Sequence, residues 1–180
     1  MAKLDITKDE MNKRISRYEK AHWHPRAFID AVLPQFERDV FSIIGRGVKD
    51  DNSIPPQISA YDGFGMTIIK CGPQKGTGLH DHTTSEVFIA LTGKWTVQWG
   101  DEGENEFILN QFDAVSVPAG VMRGFRNESD ETALIMGMVS GSNPDRIIWS
   151  KRVMEAVREK GFDFDADGKI ARITKSKVGA

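Results

Sequence analysis

Gly78-Leu79-His80-Asp81-His82-Thr83-Thr84-Ser85-Glu86 is the stretch on which the fold turns. In an extended chain, residues two apart face the same side, so His80, His82 and Glu86 share one face. Two imidazoles and a carboxylate aimed together make a facial donor set for a divalent transition metal. Fe(II), Mn(II), Ni(II) and Zn(II) all accept such donors, and the spacing selects none of them. The competing reading is a solvated surface loop, because a bare His-x-His is a weak signal. Glu86 at matching parity, with Gly93 following as a turn residue, weighs toward a ligand set. Metal binding needs neutral imidazoles, so loading is expected to weaken as pH falls through the histidine range, about 6.5.

The surrounding residues read as β structure. From 57 to 141, short apolar or alternating runs are punctuated by Gly, Pro, Asn and Asp, the texture of a sandwich or barrel. Strands are predicted over 65–71, 85–91, 94–99, 104–109, 114–117, 122–126 and 132–139. Thr92-Gly93 and Gly100-Asp101-Glu102-Gly103 supply tight hairpin turns. Within this zone lies a second notable segment, Asp113-Ala114-Val115-Ser116-Val117-Pro118-Ala119-Gly120-Val121-Met122-Arg123-Gly124-Phe125-Arg126-Asn127.

The flanks read differently. Residues 1–56 form an N-terminal extension. Thr7 and Glu10 have the spacing of a capping box, and a polar helix is predicted over 9–20. Phe28, Ile29, Val32, Leu33 and Phe36 fall at helical spacing, interrupted by Pro34. The apolar run 40–44 fits helix or strand equally. Residues 49–56 read as a linker. Residues 142–180 form a C-terminal unit, with Ser142 or Asn143 as cap, a helix over 149–160 stopped by Gly161, and a polar tail expected to fray.

Composition narrows the function classes. The chain has 180 residues and a net charge of −2, so nothing drives it toward nucleic acid, and no helix-turn-helix with a basic reading face is present. The longest apolar stretch, 133–139, is too short to span a bilayer. Cys71 is the one cysteine, which rules out an intramolecular disulfide and reads as an inert buried thiol. With no apolar leader at the N-terminus, the expected location is cytoplasmic.

The two segments together resemble the two motifs of the cupin superfamily. The first has His-x-His, a spaced Glu and a later Gly. In the second, Pro118, Gly120 and Asn127 fit the spacing. The resemblance implies a mainly β fold, the double-stranded β-helix or jelly-roll barrel, here with a helical arm before it and a helix after it. It also implies a homodimer. Gln74 and Phe112 stand where the family opens each motif with glycine, and Arg123 stands where it places a third histidine ligand. Arginine offers a metal no lone pair. The resemblance therefore implies His80, His82 and Glu86 as metal ligands, with Arg123 and Glu86 as catalytic residues and Arg123 orienting an anionic substrate such as a carboxylate. The activity implied is metal-dependent oxidation by dioxygen, with isomerase or lyase chemistry as neighbours. The alternative is a non-catalytic small-molecule-binding or sensing barrel without metal, in which Arg123 pairs with Glu86. His22 and His24 read as exposed imidazoles of a turn.

Overall fold

A computed structural model of the chain describes residues 5–45, 49–51, 53, 55–60, 63–141 and 147–173. The N-terminal arm opens with helix α1 (Lys8–Asn12), closed at its start by the reciprocal Thr7–Glu10 capping box that the sequence predicts. The longer helix predicted over 9–20 stops there, and Tyr18–Lys20 adds only one 3-10 turn. The apolar spacing after Pro25 likewise yields two 3-10 turns, Ile29–Val32 and Pro34–Phe36, because Pro34 cannot continue a helix begun at Ile29.

Among the described residues twelve strands follow. They are β1 (Asp39–Ile44), β2 (Phe64–Cys71), β3 (Gly76–Asp81), β4 (Glu86–Ala90), β5 (Trp95–Trp99) and β6 (Asn105–Leu109), followed by β7 (Ala114–Val117), β8 (Arg123–Asn127), β9 (Ala133–Ser140), β10 (Ile148–Trp149), β11 (Phe162–Phe164) and β12 (Ile170–Arg172). One antiparallel sheet runs β1-β2-β9-β4-β7 and the facing one β10-β3-β8-β5-β6. The run 40–44 is thus a strand, and β1 joins the first sheet beside β2. Helix α2 (Lys151–Glu159) is capped by Ser150, whose hydroxyl accepts from the Val153 amide. The caps named from sequence, Ser142 and Asn143, lie outside the described residues. The polar segment after Gly161 forms the hairpin β11–β12, whose residues 162, 164 and 170 pack on α2 and the arm; its end, residues 174–180, where fraying is expected, lies outside the described residues.

Two cores result. Between the sheets, Ile69, Phe88, Trp95, Val97, Leu109, Val117, Phe125 and Ile135 are buried, following the period of two in their strands. A second core joins Ile29 and Leu33 of the arm to Ile147, Trp149, Val153 and Val157. Cys71 is fully buried in the first core, and burial pushes its thiol up to about 12. No helix among the described residues is long and apolar enough to cross a membrane.

A buried ion pair within the arm, Asp30–Arg38, hydrogen-bonds to β3 and so ties the arm to the barrel. Asp30, in the first 3-10 turn, accepts from Arg38 at 2.8 and 3.0 Å, from the Thr77 hydroxyl at 3.1 Å and from the Gly78 amide at 2.9 Å. A second carboxylate, Asp50, accepts from the Ile29 amide at 2.8 Å and the Trp149 indole at 3.2 Å. Burial is the main cause that raises its carboxyl from 3.8 to about 6. A group raised in this way contributes stability in full below about 3.8, and that contribution is lost as pH rises through 6. Asp50→Asn keeps an acceptor and removes the charge. The variant is expected to match the wild type near pH 4 and exceed it at pH 8 by roughly 1–2 kcal/mol, a value reduced for residual exposure. Urea denaturation at the two pH values checks this, and an equal difference at both would refute it.

Only two described residues other than glycine have positive φ, and they are Gln74 (58°) and Phe112 (71°). These are the two positions where the cupin motifs open on glycine. The left-handed turn is kept while its usual residue is absent, at a cost of about 1 kcal/mol per site. Phe112 is 75% exposed, so its ring adds little packing. Phe112→Gly is expected to raise stability by about 0.5–1 kcal/mol, since strain relief exceeds the added freedom of the unfolded chain; a lowered urea midpoint would contradict it.

Candidate metal centre

The site is built at the junction of β3 and β4. Strand β3 lies so close to β8 that a Cβ on Gly76 would come within 1.8 Å of the Phe125 carbonyl oxygen. Its pairing then slips by one residue: Thr77 faces Phe125, whereas His80 faces Arg123. This bulge around Gly78 and Leu79 re-aims the strand, so Thr77 and His80 line the same cavity although three residues apart. His82 follows at the strand's end, and its carbonyl accepts from the Gly120 amide at 3.2 Å, which ties the first motif to the second. Glu86 begins β4, between Val117 of β7 and Val139 of β9. Asn127, also in the second motif, donates to the Cys71, Gly72 and Glu131 carbonyls and so locks the turn before β3.

Ligand atoms of His80, His82 and Glu86 all lie within 4.8 Å of one another, and the three residues are buried. His80 places Nδ1 2.8 Å from the Gly78 carbonyl, which assigns the proton to Nδ1 and leaves the Nε2 lone pair free. Trp149, paired with His80 across β10 and β3, holds the ring from the other side at 5.2 Å between centroids. Both ring nitrogens of His82, and Oε2 of Glu86, are buried without a hydrogen-bond partner. His82 Nε2 and Glu86 Oε2 approach to 3.1 Å, but their alignment does not make a hydrogen bond.

Electrostatics follow from burial. Burial lowers His80 well below 6.5 and His82 to about 4, the latter helped by the Arg123 charge. Burial raises Glu86 to about 7 against the opposing pull of Arg123. The imidazoles are therefore neutral at ordinary pH, and Glu86 rather than a histidine is the group that titrates near neutrality. The expectation from sequence, a loss of loading through the unperturbed imidazole range, gives way to control by Glu86. Two neutral nitrogens and one carboxylate oxygen, unpaired and convergent, are the donor set a divalent transition metal takes, and the residues fit such an ion.

Arg123 is fully buried beside this group, with Nε 3.5 Å from Glu86 Oε2. Its shortest contact, however, is Nη1 to Asp81 at 3.0 Å, with Nη2 3.5 Å from the Thr84 carbonyl. Motif logic named Glu86 as partner and missed Asp81. The signal was present, since Asp81 stands between two histidines at opposite parity. The cavity is lined by Phe28, Arg38, Thr77, His80, His82 and Trp149 among others. Phe28, Arg38 and Trp149 carry no sequence signal for this role, because only tertiary contact brings them there. His24 pairs instead with Val40 on the arm, and neither it nor His22 joins the cluster.

Residues 67–139 match the cupin domain family. The barrel is a cupin domain. In fold it is similar to the DMSP lyase DddQ from Ruegeria pomeroyi DSS-3, at 17% identity and a TM-score of 0.54, over 72% of this chain and 61% of that one. It is similar also to the polyketide cyclase RemF from Streptomyces resistomycificus, at 14% identity and 0.53, over 75% and 83% of the two chains. A third likeness is to an RmlC-like cupin from Shewanella frigidimarina, at 13% and 0.50, over 71% and 90%. At these identities the likeness is one of fold. No curated protein matches the chain in sequence.

Proposed function

We propose that this cupin is a metal-dependent enzyme acting on a small organic acid, with dioxygen-dependent oxidation as its chemistry. The reading rests on one observation above others: three buried polar atoms of His82 and Glu86 have no hydrogen-bond partner, and one ligand atom from each residue converges with one from His80. Unpaired buried polar atoms each cost about 1–3 kcal/mol, a cost that a bound cation removes for each atom that ligates it. His80, His82 and Glu86 would hold the ion, which supplies Lewis-acid or redox chemistry when bound. Gly78 and Trp149 fix the His80 ring. Arg123, anchored by Asp81 and the Thr84 carbonyl, keeps a positive charge beside Glu86 and orients the acid substrate through the field it creates. A homodimer is part of this reading, supported by the family resemblance alone.

The specific observation favouring the metal-free alternative is the Arg123 guanidinium 3.5 Å from Glu86. Elemental analysis of the purified protein, followed by oxygen uptake with Fe(II) and a panel of small acids, separates the two. About one transition metal per chain with acid-dependent uptake supports the enzyme, and metal-free protein that does not load would end it. Position 123 gives a second test. It lies opposite His80 across β3 and β8, so Arg123→His adds a fourth donor on the same face. Divalent affinity is expected to rise at least tenfold while acid binding weakens. Unchanged affinity in a metal titration would show that this position does not reach the site.

A further inference from the structure

The cavity around His80, His82 and Glu86 has a volume of only about 40 Å³. That holds a few waters, whereas small-molecule sites run to roughly 300–1,000 Å³. A whole organic substrate does not fit within it. One wall is Phe28, and Phe28 also lines a second space, an open groove of about 700 Å³ among the described residues. This groove lies between the arm, the segment around Asp50 and the β11–β12 hairpin.

The groove has a distinct chemistry. Phe28, Val32, Phe162 and Ile170 give it an apolar floor, and all four are half-buried members of the second core. Arg26 and Lys169 are set against Asp50, Asp51 and Asp167 around them, so the charges nearly cancel and no strong anion is selected. An apolar chain is what such a floor recognises.

Phe28 is the residue that lines both spaces. Phe28 has extended backbone, φ −134° and ψ 147°, where χ1 near 180° and −60° are both common. Arg38 lies 4.5 Å from the ring centroid, Trp149 meets the ring edge-on at 6.5 Å, and the side chain also packs against the second core and against Ala27 and Val40. A change of χ1 at Phe28 would remove the wall that the two spaces share.

We infer that the groove is the tail-binding half of the substrate site, that Phe28 is the partition between its halves, and that the substrate is an organic acid carrying an apolar tail. The carboxylate takes the inner cavity and the tail lies on Phe28, Val32, Phe162 and Ile170. This rests on the inner cavity being the reaction site, as proposed above, and it names the class of acid.

The test is calorimetric titration of the full chain with straight-chain carboxylates from propanoate to decanoate, with and without Mn(II), and with metal content measured on the same samples. Affinity in the wild type is expected to rise about fourfold per methylene as the tail fills the groove. Ile170→Trp, on the exposed hairpin, fills the groove from outside and should flatten that rise beyond butanoate. Phe28→Ala removes the partition together with one of the four floor residues, so the rise should persist with a shallower slope, carried by Val32, Phe162 and Ile170. A flat series in the wild type, or a rise unchanged in Ile170→Trp, overturns the inference. A rise with no metal loading upholds the groove and overturns the metal reading. Metal loading with a flat series does the reverse.

Discussion

Replacing Asp30 with alanine is expected to lower stability by about 3–5 kcal/mol, the range for breaking one side of a buried ion pair. Asp30 is fully buried and answers four donors: two from Arg38, the Thr77 hydroxyl and the Gly78 amide. Its loss strands a guanidinium that is itself 6% exposed. Much of the cost is therefore the uncompensated charge rather than the lost attraction. That argument makes a second expectation. Arg38→Met in the Asp30→Ala background should return part of the stability, because it removes the stranded cation. Urea denaturation of both variants measures this. A single variant within about 1 kcal/mol of wild type, or a double variant weaker than the single, would refute the account. The damage should also reach the metal centre, since the Gly78 amide anchored by Asp30 belongs to the same residue whose carbonyl holds His80.

His82→Ala is expected to weaken divalent metal binding by at least about 100-fold, more than the roughly 10–100-fold typical for losing a supporting contact. The fold should survive. Both ring nitrogens of His82 are buried without partners, so removing the ring relieves a desolvation cost while it opens a small cavity. The metal-free variant should melt within a few degrees of wild type. The pH dependence has a definite sign. In the metal-free protein Glu86 holds its proton up to about 7, so metal uptake near neutrality expels that proton and affinity falls as pH drops through 7. His82, lowered to about 4, does not compete for protons until far more acid conditions. Calorimetry in two buffers of different ionisation enthalpy reads the released proton directly. Equal metal content in wild type and His82→Ala, or affinity flat from pH 8 to 6, would refute the ligand set.

The barrel was legible because its strands are short, alternate with a period of two and end at glycine-bearing turns; the predicted spans 65–71, 114–117 and 132–139 fall within a residue of β2, β7 and β9. The His80, His82 and Glu86 cluster was legible for a related reason, since parity along one extended segment is local information. Yet the parity argument held through an irregularity it did not contain: the bulge at Gly78 and Leu79 aims Thr77 and His80 into one cavity. The arm was misread as helical because Phe28, Ile29, Val32, Leu33 and Phe36 keep helical spacing in two 3-10 turns as well. Trp149 and Asp50 stand 99 residues apart, and no periodicity reports such a contact. Arg38 reads from sequence as one more surface cation, and only its pairing with Asp30 explains its burial.

The position of Trp149 gives the molecule an optical property. Its indole lies 5.2 Å from the His80 ring, between centroids, whereas Trp23, Trp95 and Trp99 (the backbone partner of Arg123) make their ring contacts with other aromatic side chains. A paramagnetic ion entering beside His80 would quench the emission of that one fluorophore, and the Trp149→Phe variant would subtract its share. Occupancy of the centre then becomes readable from light emitted by the protein itself, with no dye and no substrate in hand.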